Sequence, residues 1–218
     1  NLSQKNLGPA DVTLLTGWMQ RPEVSAVLKK VALRGNPLTG GELEYVGDGK
    51  YAQTDGKDTS GVAVLFPSMT QVTELDVSDC GLGPTSMPEL VKLVSDARAV
   101  LASLNLGGNA ITGSKRDSST GWNWQYDLDL SGFSALCQVL GRLNEVNLSD
   151  CHLGPASMPE LAKVFRDASA VLASLNLSGN GLTGAIMGYR KSEYFDDKID
   201  VDTAGFVALC AVLGQLTE

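Results

Sequence analysis

The chain repeats itself. Asp79 to Gly113 (DCGLGPTSMPELVKLVSDARAVLASLNLGGNAITG) matches Asp150 to Gly184 (DCHLGPASMPELAKVFRDASAVLASLNLSGNGLTG) at 25 of 35 positions, at an offset of 71 residues. Self-similarity at a fixed offset implies a stacked array, in which each unit covers its neighbour instead of closing a core alone. A more divergent third copy stands near the start. Asn1-Leu2-Ser3 with Leu7-Gly8-Pro9 echoes Asn147-Leu148-Ser149 with Leu153-Gly154-Pro155, and Leu33 to Gly40 echoes Leu177 to Gly184. Three units are therefore expected.

Within each unit two segments fit L-x-x-L-x-L-x-x-N/C-x-L. Leu172, Leu175, Leu177, Asn180 and Leu182 form one, and Leu143, Val146, Leu148, Cys151 and Leu153 form another. Cys80 to Asn109 and Cys151 to Asn180 are each 29 residues apart, whereas Asn109 to Cys151 is 42, so short and long repeats alternate. Each L-x-L reads as a short strand with its leucines in the core. The Asn or Cys that follows sits inside a turn, where it satisfies backbone groups that burial would leave unpaired.

Helical segments come next. Met87, Leu90, Val94 and Ala97 fall at 3.6-residue spacing, and Ser86 with Glu89 has the form of a capping box, repeated as Ser157 with Glu160. In the long repeats Phe133, Leu136 and Leu140 make the apolar stripe, with Asp129 as the expected N-cap. Strand, turn and helix, six times over, predict an α/β chain with a curved parallel sheet inside and helices outside.

With about 28-residue repeats and alternating Asn and Cys turns, the chain resembles the ribonuclease-inhibitor-like class of leucine-rich-repeat proteins. The resemblance implies a right-handed solenoid, or horseshoe, with a concave sheet and convex helices. It implies one domain over residues 1–218, of six repeats in three two-repeat units. It does not carry one activity, because the class includes enzyme inhibitors, GTPase-activating proteins, innate-immune sensors and actin regulators. The chain begins inside a strand motif and stops at Leu216-Thr217-Glu218, without the atypical polar repeats that cap such arrays, and a fragment of a longer array is the expectation.

Composition narrows the partner. A net charge of -8, from 25 acidic and 17 basic residues, argues against nucleic acid, whose phosphates call for a basic face. A basic or neutral protein ligand suits it better. No run approaches the roughly 20 apolar residues that cross a bilayer, so no membrane insertion is expected. The four cysteines mildly favour a reducing, cytoplasmic compartment: Cys80 and Cys151 stand in matching turns, Cys137 and Cys210 in matching helices, and Phe66 replaces the latter pair in the first unit. They read as buried thiols.

The long repeats owe their length to insertions at Gly41 to Lys57, Ser114 to Leu128 and Ala185 to Val201, each ending at an expected helix cap: Asp58, Asp129 or Asp202. The framework is nearly copied between units, yet SKRDSSTGWNWQYDL and AIMGYRKSEYFDDKIDV share almost nothing. Tyr45, Tyr51, Trp122, Trp124, Tyr126, Tyr189, Tyr194 and Phe195 all fall in these insertions. Tyr and Trp give large contact area at small rotamer cost, so the insertions, lined along one rim, are the first candidate recognition surface. The alternative is that each insertion folds back on its neighbour, with the aromatics filling gaps. The second candidate is the concave face, carrying Lys30, Arg34, Glu74, Asp76, Asp79, Glu145 and Asp150, which also reads as a solvated polar face.

Catalytic chemistry is weakly represented. The single histidine, His152, sits just after a turn where the sister repeat has Gly81, and reads as a solvent-exposed turn residue. No nucleophile elbow, phosphate-binding glycine loop or paired C-x-x-C occurs. Asp127 with Asp129 and Asp200 with Asp202 lack the loop that would complete a calcium site and read as helix caps. No cofactor or metal is expected. The sequence thus points to a noncatalytic recognition scaffold; the alternatives are a regulator of a partner enzyme, such as a GTPase activator, or an end-to-end self-assembling module.

Overall fold

The computed structural model describes residues 1–47, 50–96, 99–116, 124–166, 171–186 and 198–215. In chain order the elements are α1 (Pro9–Met19), α2 (Pro22–Ser25), β1 (Lys30–Ala32), β2 (Leu43–Gly47), β3 (Lys50–Gln53), α3 (Ser60–Leu65), β4 (Glu74–Asp76), α4 (Met87–Ser95), β5 (Ser103–Asn105), β6 (Lys115–Arg116) and β7 (Trp124–Gln125). There follow α5 (Ser131–Leu140), β8 (Glu145–Asn147), α6 (Met158–Arg166), β9 (Ser174–Asn176), β10 (Ala185–Ile186), β11 (Lys198–Ile199) and α7 (Ala204–Gln215). The fold is mixed α/β. One sheet of five parallel strands runs in the order β1-β4-β5-β8-β9, so each repeat lies beside the one before it.

The strands form where the L-x-L motifs put them, in register at every step: Val31, Leu75, Leu104, Val146 and Leu175 pair in sequence across the sheet. The first four of these side chains are buried, and Leu33, Val77, Leu106 and Leu148 two residues on are fully enclosed, which is the alternation of a one-sided sheet. Helices cover that side. Met87, Leu90 and Val94 are buried as the spacing predicts, together with Leu93, while Ala97 lies outside the described residues. Phe133, Leu136 and Leu140 are wholly buried in α5. A single apolar cluster runs from Val12 to Val212.

The turn asparagines do what their position demands. Asn109 Oδ1 accepts the N–H groups of Cys80 (3.0 Å) and Leu82 (2.9 Å), and its Nδ2 donates to the carbonyls of Val77 (2.9 Å) and Leu106 (2.7 Å). One side chain thus ties its own turn to the turn of the preceding repeat. Asn36 and Asn180 repeat the arrangement. The cysteines act in the other junction, where Cys80 Sγ lies 3.2 Å from the Leu33 carbonyl oxygen and Cys151 Sγ 3.3 Å from that of Leu106.

Three expectations are corrected. First, the sheet has five strands: Asn1 to Ser3 is not strand, although Leu2 N and Gln4 N still donate to the carbonyls of Ala32 and Arg34 at 2.8 Å and extend the ladder. Second, the capping boxes do not form. A 3₁₀ turn at Pro84–Ser86, and another at Pro155–Ser157, winds the chain into the helix early, so each serine is already inside a helical turn. Ser86 Oγ is buried without a partner, Glu89 pairs with Lys92 at 2.8 Å, and Glu160 takes Lys163 and the Ser134 hydroxyl. Third, Cys210 is exposed, whereas Cys80, Cys137 and Cys151 are buried. Burial pushes the Cys80 and Cys151 thiols up to about 12 and raises that of Cys137. The insertions contain short strands of their own.

Candidate recognition surface

Each insertion leaves and rejoins the framework as an antiparallel pair: β2 with β3, β6 with β7, and β10 with β11. Tyr45 is the register partner of Tyr51 in the first, and Arg116 of Trp124 in the second. Trp122, Tyr189, Tyr194 and Phe195 lie outside the described residues.

The bases of the first two pairs are tied forward to the next unit. Thr39 Oγ1 donates to the Gly81 carbonyl, and Ser114 Oγ to the His152 carbonyl, both at 2.8 Å. A carboxylate then crosses the junction. Asp127 accepts Gly154 N (3.1 Å), Ser157 N (3.0 Å) and the Ser157 hydroxyl, capping the helical run that opens at Pro155. At the preceding junction Asp55 is bonded to the Gly83 amide and to Thr85. A Cβ at Gly83 or Gly154 would collide with the arriving acid, so these glycines serve close approach. Burial raises the Asp55 carboxyl to about 6 against the lowering effect of those bonds. Asp58 and Asp129, expected as N-caps, stand one residue before the N-caps Thr59 and Leu130, and with Asp202 they hold the first amides of their own helices, Ser60 N, Ser131 N and Ala204 N.

The described aromatics of the second insertion also reach forward. Trp124 stacks on the His152 imidazole with ring centroids 3.7 Å apart and planes at 19°, and the Arg116 guanidinium lies 5.6 Å from the Trp124 centroid on its own hairpin. Tyr126 packs over Gly154 and Gly181, where any Cβ would strike it. Its hydroxyl is raised by burial and by the nearby Asp127 charge. Trp124 and Tyr126 are therefore half-buried contacts between an insertion and the unit after it. His152 is half-buried as well, a correction to its reading as a solvated turn residue, and burial pulls its imidazole down to about 4. The sequence did carry a trace of this pairing. The insertion before His152 contains tryptophan, and the one before Gly81 has none.

On the open face of the sheet the two cations are matched. Lys30 pairs with Glu74 at 2.6 Å and Arg34 with Asp79 at 2.9 Å, both pairs well exposed. Asp76 accepts Ser78 N and the Ser78 hydroxyl, and Asn105, Asn147 and Asn176 hold the amides two residues ahead in the same way. Glu145 and Asp150 lie on this face towards the third unit. Much of the stripe is thus engaged in local bonds. Among the described residues, no group of three or more His, Cys, Asp or Glu side chains is placed to hold a metal ion, and no helix is long and apolar enough to cross a membrane.

Residues 68–87 match the leucine-rich-repeat family model. The matched stretch holds β4 and its turn, a part of one repeat, and supports a leucine-rich-repeat protein. No curated protein matches the chain.

Proposed function

We propose that residues 1–218 form one ribonuclease-inhibitor-like horseshoe domain that works as a noncatalytic recognition scaffold, taking a protein ligand along the rim built by its three insertions. The observation that carries this reading is the contrast within each insertion. Each base is a β-pair, bolted in the first two insertions to the next unit by a threonine or serine and an aspartate, while the sequence between the paired strands varies on a copied framework. A rigid frame that holds variable segments at a constant spacing is the arrangement by which scaffolds display binding loops. Trp124 and Tyr126 act in this reading as anchors; ligand contact falls to Trp122, Tyr189, Tyr194, Phe195 and the Tyr45 and Tyr51 hairpin. Repeats of this family generally mediate protein–protein interaction, which agrees with it.

Hydrogen exchange of the chain, alone and in an extract from its native source, tests the reading. Protection of the three insertions that appears only with extract, and disappears in Trp122→Ala and Tyr194→Ala chains of unchanged thermal midpoint, is the expected result. Protection gained instead around Glu145 and Asp150 would move the site to the open face of the sheet.

A further inference from the structure

We propose that the edge of the sheet opposite the insertions is a second docking surface, and that it takes an acidic amphipathic α-helix laid across the strands. The insertions follow β1, β5 and β9; this edge lies where the chain enters those strands. Val27, Val100 and Val171 stand there, each three residues before its strand, in the stretches Ala26-Val27-Leu28, Ala99-Val100-Leu101 and Ala170-Val171-Leu172. The leucine of each stretch packs on the core, while the valine is left outside it: Val27 is 74%, Val100 46% and Val171 55% exposed. The first unit has diverged from the other two, yet it keeps an apolar residue at a position where burial does not call for one. Val100 has repeats on both sides, so its exposure owes nothing to where the chain starts or stops. Repeats stack along the sheet, and a further one would lengthen this row rather than cover it.

Gln71 and Arg142 stand between the valines, three residues before β4 and β8. The strands pair in register at every step, so the edge reads Val27, Gln71, Val100, Arg142, Val171. Beside Val100 a hollow of about 190 Å³ opens between Leu101, Arg142 and Leu143. Lys29 and Arg142 are exposed, and among the described residues neither side chain meets a carboxylate; Arg142 donates to the Ser95 carbonyl at 3.3 Å. On a chain of net charge -8, two unmatched cations beside an apolar row select an acidic partner. One charge opposes it: Asp96 lines the same hollow. Spacing chooses the form of the ligand. Valines two strands apart are separated by roughly 10 Å. Seven residues of an α-helix rise about 10.5 Å and return to nearly the same face, so side chains at i, i+7 and i+14 meet the three valines, and an acid at i+11 falls opposite Arg142. Three residues of an extended strand also span about 10 Å, but they alternate faces. A polyproline helix rises about 9 Å in three residues on one face; it docks in aromatic-lined grooves, and this row is aliphatic.

The surface is independent of what the insertion rim binds. A dye-labelled synthetic peptide of about 20 residues tests it. The peptide carries leucine at three positions seven apart, glutamate ahead of the first leucine and between the second and third, and alanine and glutamine elsewhere. Its anisotropy titration with the 218-residue chain is expected to saturate, to weaken with added salt, and to be unchanged in Trp122→Ala. Val100→Ser, at an exposed position, is expected to weaken binding by about tenfold, the effect of losing one valine from a buried contact. Arg142→Glu weakens it as well, and a peptide with lysine in place of the second glutamate restores it. Val27→Ser and Val171→Ser repeat the measurement should either change alter the far-UV dichroism. A wild-type chain that does not bind the peptide, equal affinity for a peptide with its leucines six apart, indifference to the valine substitutions, or tighter binding of a proline-rich peptide with leucine at every third position would each overturn the proposal.

Discussion

Asn109 and Asn180 are sisters in two nearly identical repeats, and their hydrogen bonds are nearly the same. Each accepts an amide from the preceding turn and donates to two carbonyls near 2.8 Å. Yet Asn109 is wholly buried and Asn180 only half so. The same holds for Leu106 against Leu177 and Phe133 against Phe206. Burial here belongs to the neighbouring repeat more than to the residue, as expected of a quasi-one-dimensional stack. The strength of a bond then depends on whether water can replace it. Asn109→Ala strands buried amides and carbonyls and is expected to cost about 3–5 kcal/mol, whereas Asn180→Ala lets water in and costs about 1 kcal/mol. Urea denaturation at concentrations where the chain is monomeric checks the difference; equal costs would break the comparison.

A smaller contrast separates Asp127 from Asp200. Both sit in the left-handed region, at φ 55°. Asp127 holds two amides and a hydroxyl of the next unit and has drawn Gly154 close. Asp127→Ala should cost about 1–2 kcal/mol, in the range of a lost helix cap, and Asp200→Ala a few tenths of that or less in the monomer.

The periodic parts of this architecture were legible in the sequence and the long-range parts were not. Val31, Leu75, Leu104 and Val146 announce strands because a two-residue period beside a fixed turn has one physical solution, and the turn asparagines announce their role because a buried turn has few other donors and acceptors. The pairs β6–β7 and β10–β11 are two-residue strands, too short for alternation to register. The Ser86 and Ser157 capping boxes failed for a related reason: the local pattern was present, but the cap arrives from Asp55 or Asp127 about thirty residues earlier, and no local spacing encodes that. Cys210 was placed by analogy with Cys137, which transfers position faithfully but not cover. Trp124 and Tyr126 stand out by residue type, but what they touch, His152 and Gly154, lies far along the chain and no local pattern encodes it.

If neighbours supply burial, groups at the junctions should titrate abnormally, and the two junctions should respond to acid in opposite senses. Between the second and third units, His152 lies under Trp124 and its pKa falls from 6.5 to about 4 because burial disfavours the imidazolium. Its contribution to stability is complete above about pH 6.5 and is lost as pH falls towards 4. Between the first and second units, burial raises Asp55 from 3.8 to about 6, so the folded state prefers the protonated acid. That contribution is complete below about pH 3.8 and is lost as pH rises through 6. Urea midpoints from pH 4 to 7 should therefore show the advantage of the wild type over His152→Gln growing with pH, by up to about 3 kcal/mol across the window. The advantage over Asp55→Asn should shrink over the same interval, by less, since Asp55 keeps much of its side chain in water. Parallel slopes would mean that the two junctions are covered alike and that the stacked tryptophan adds nothing to the burial of His152.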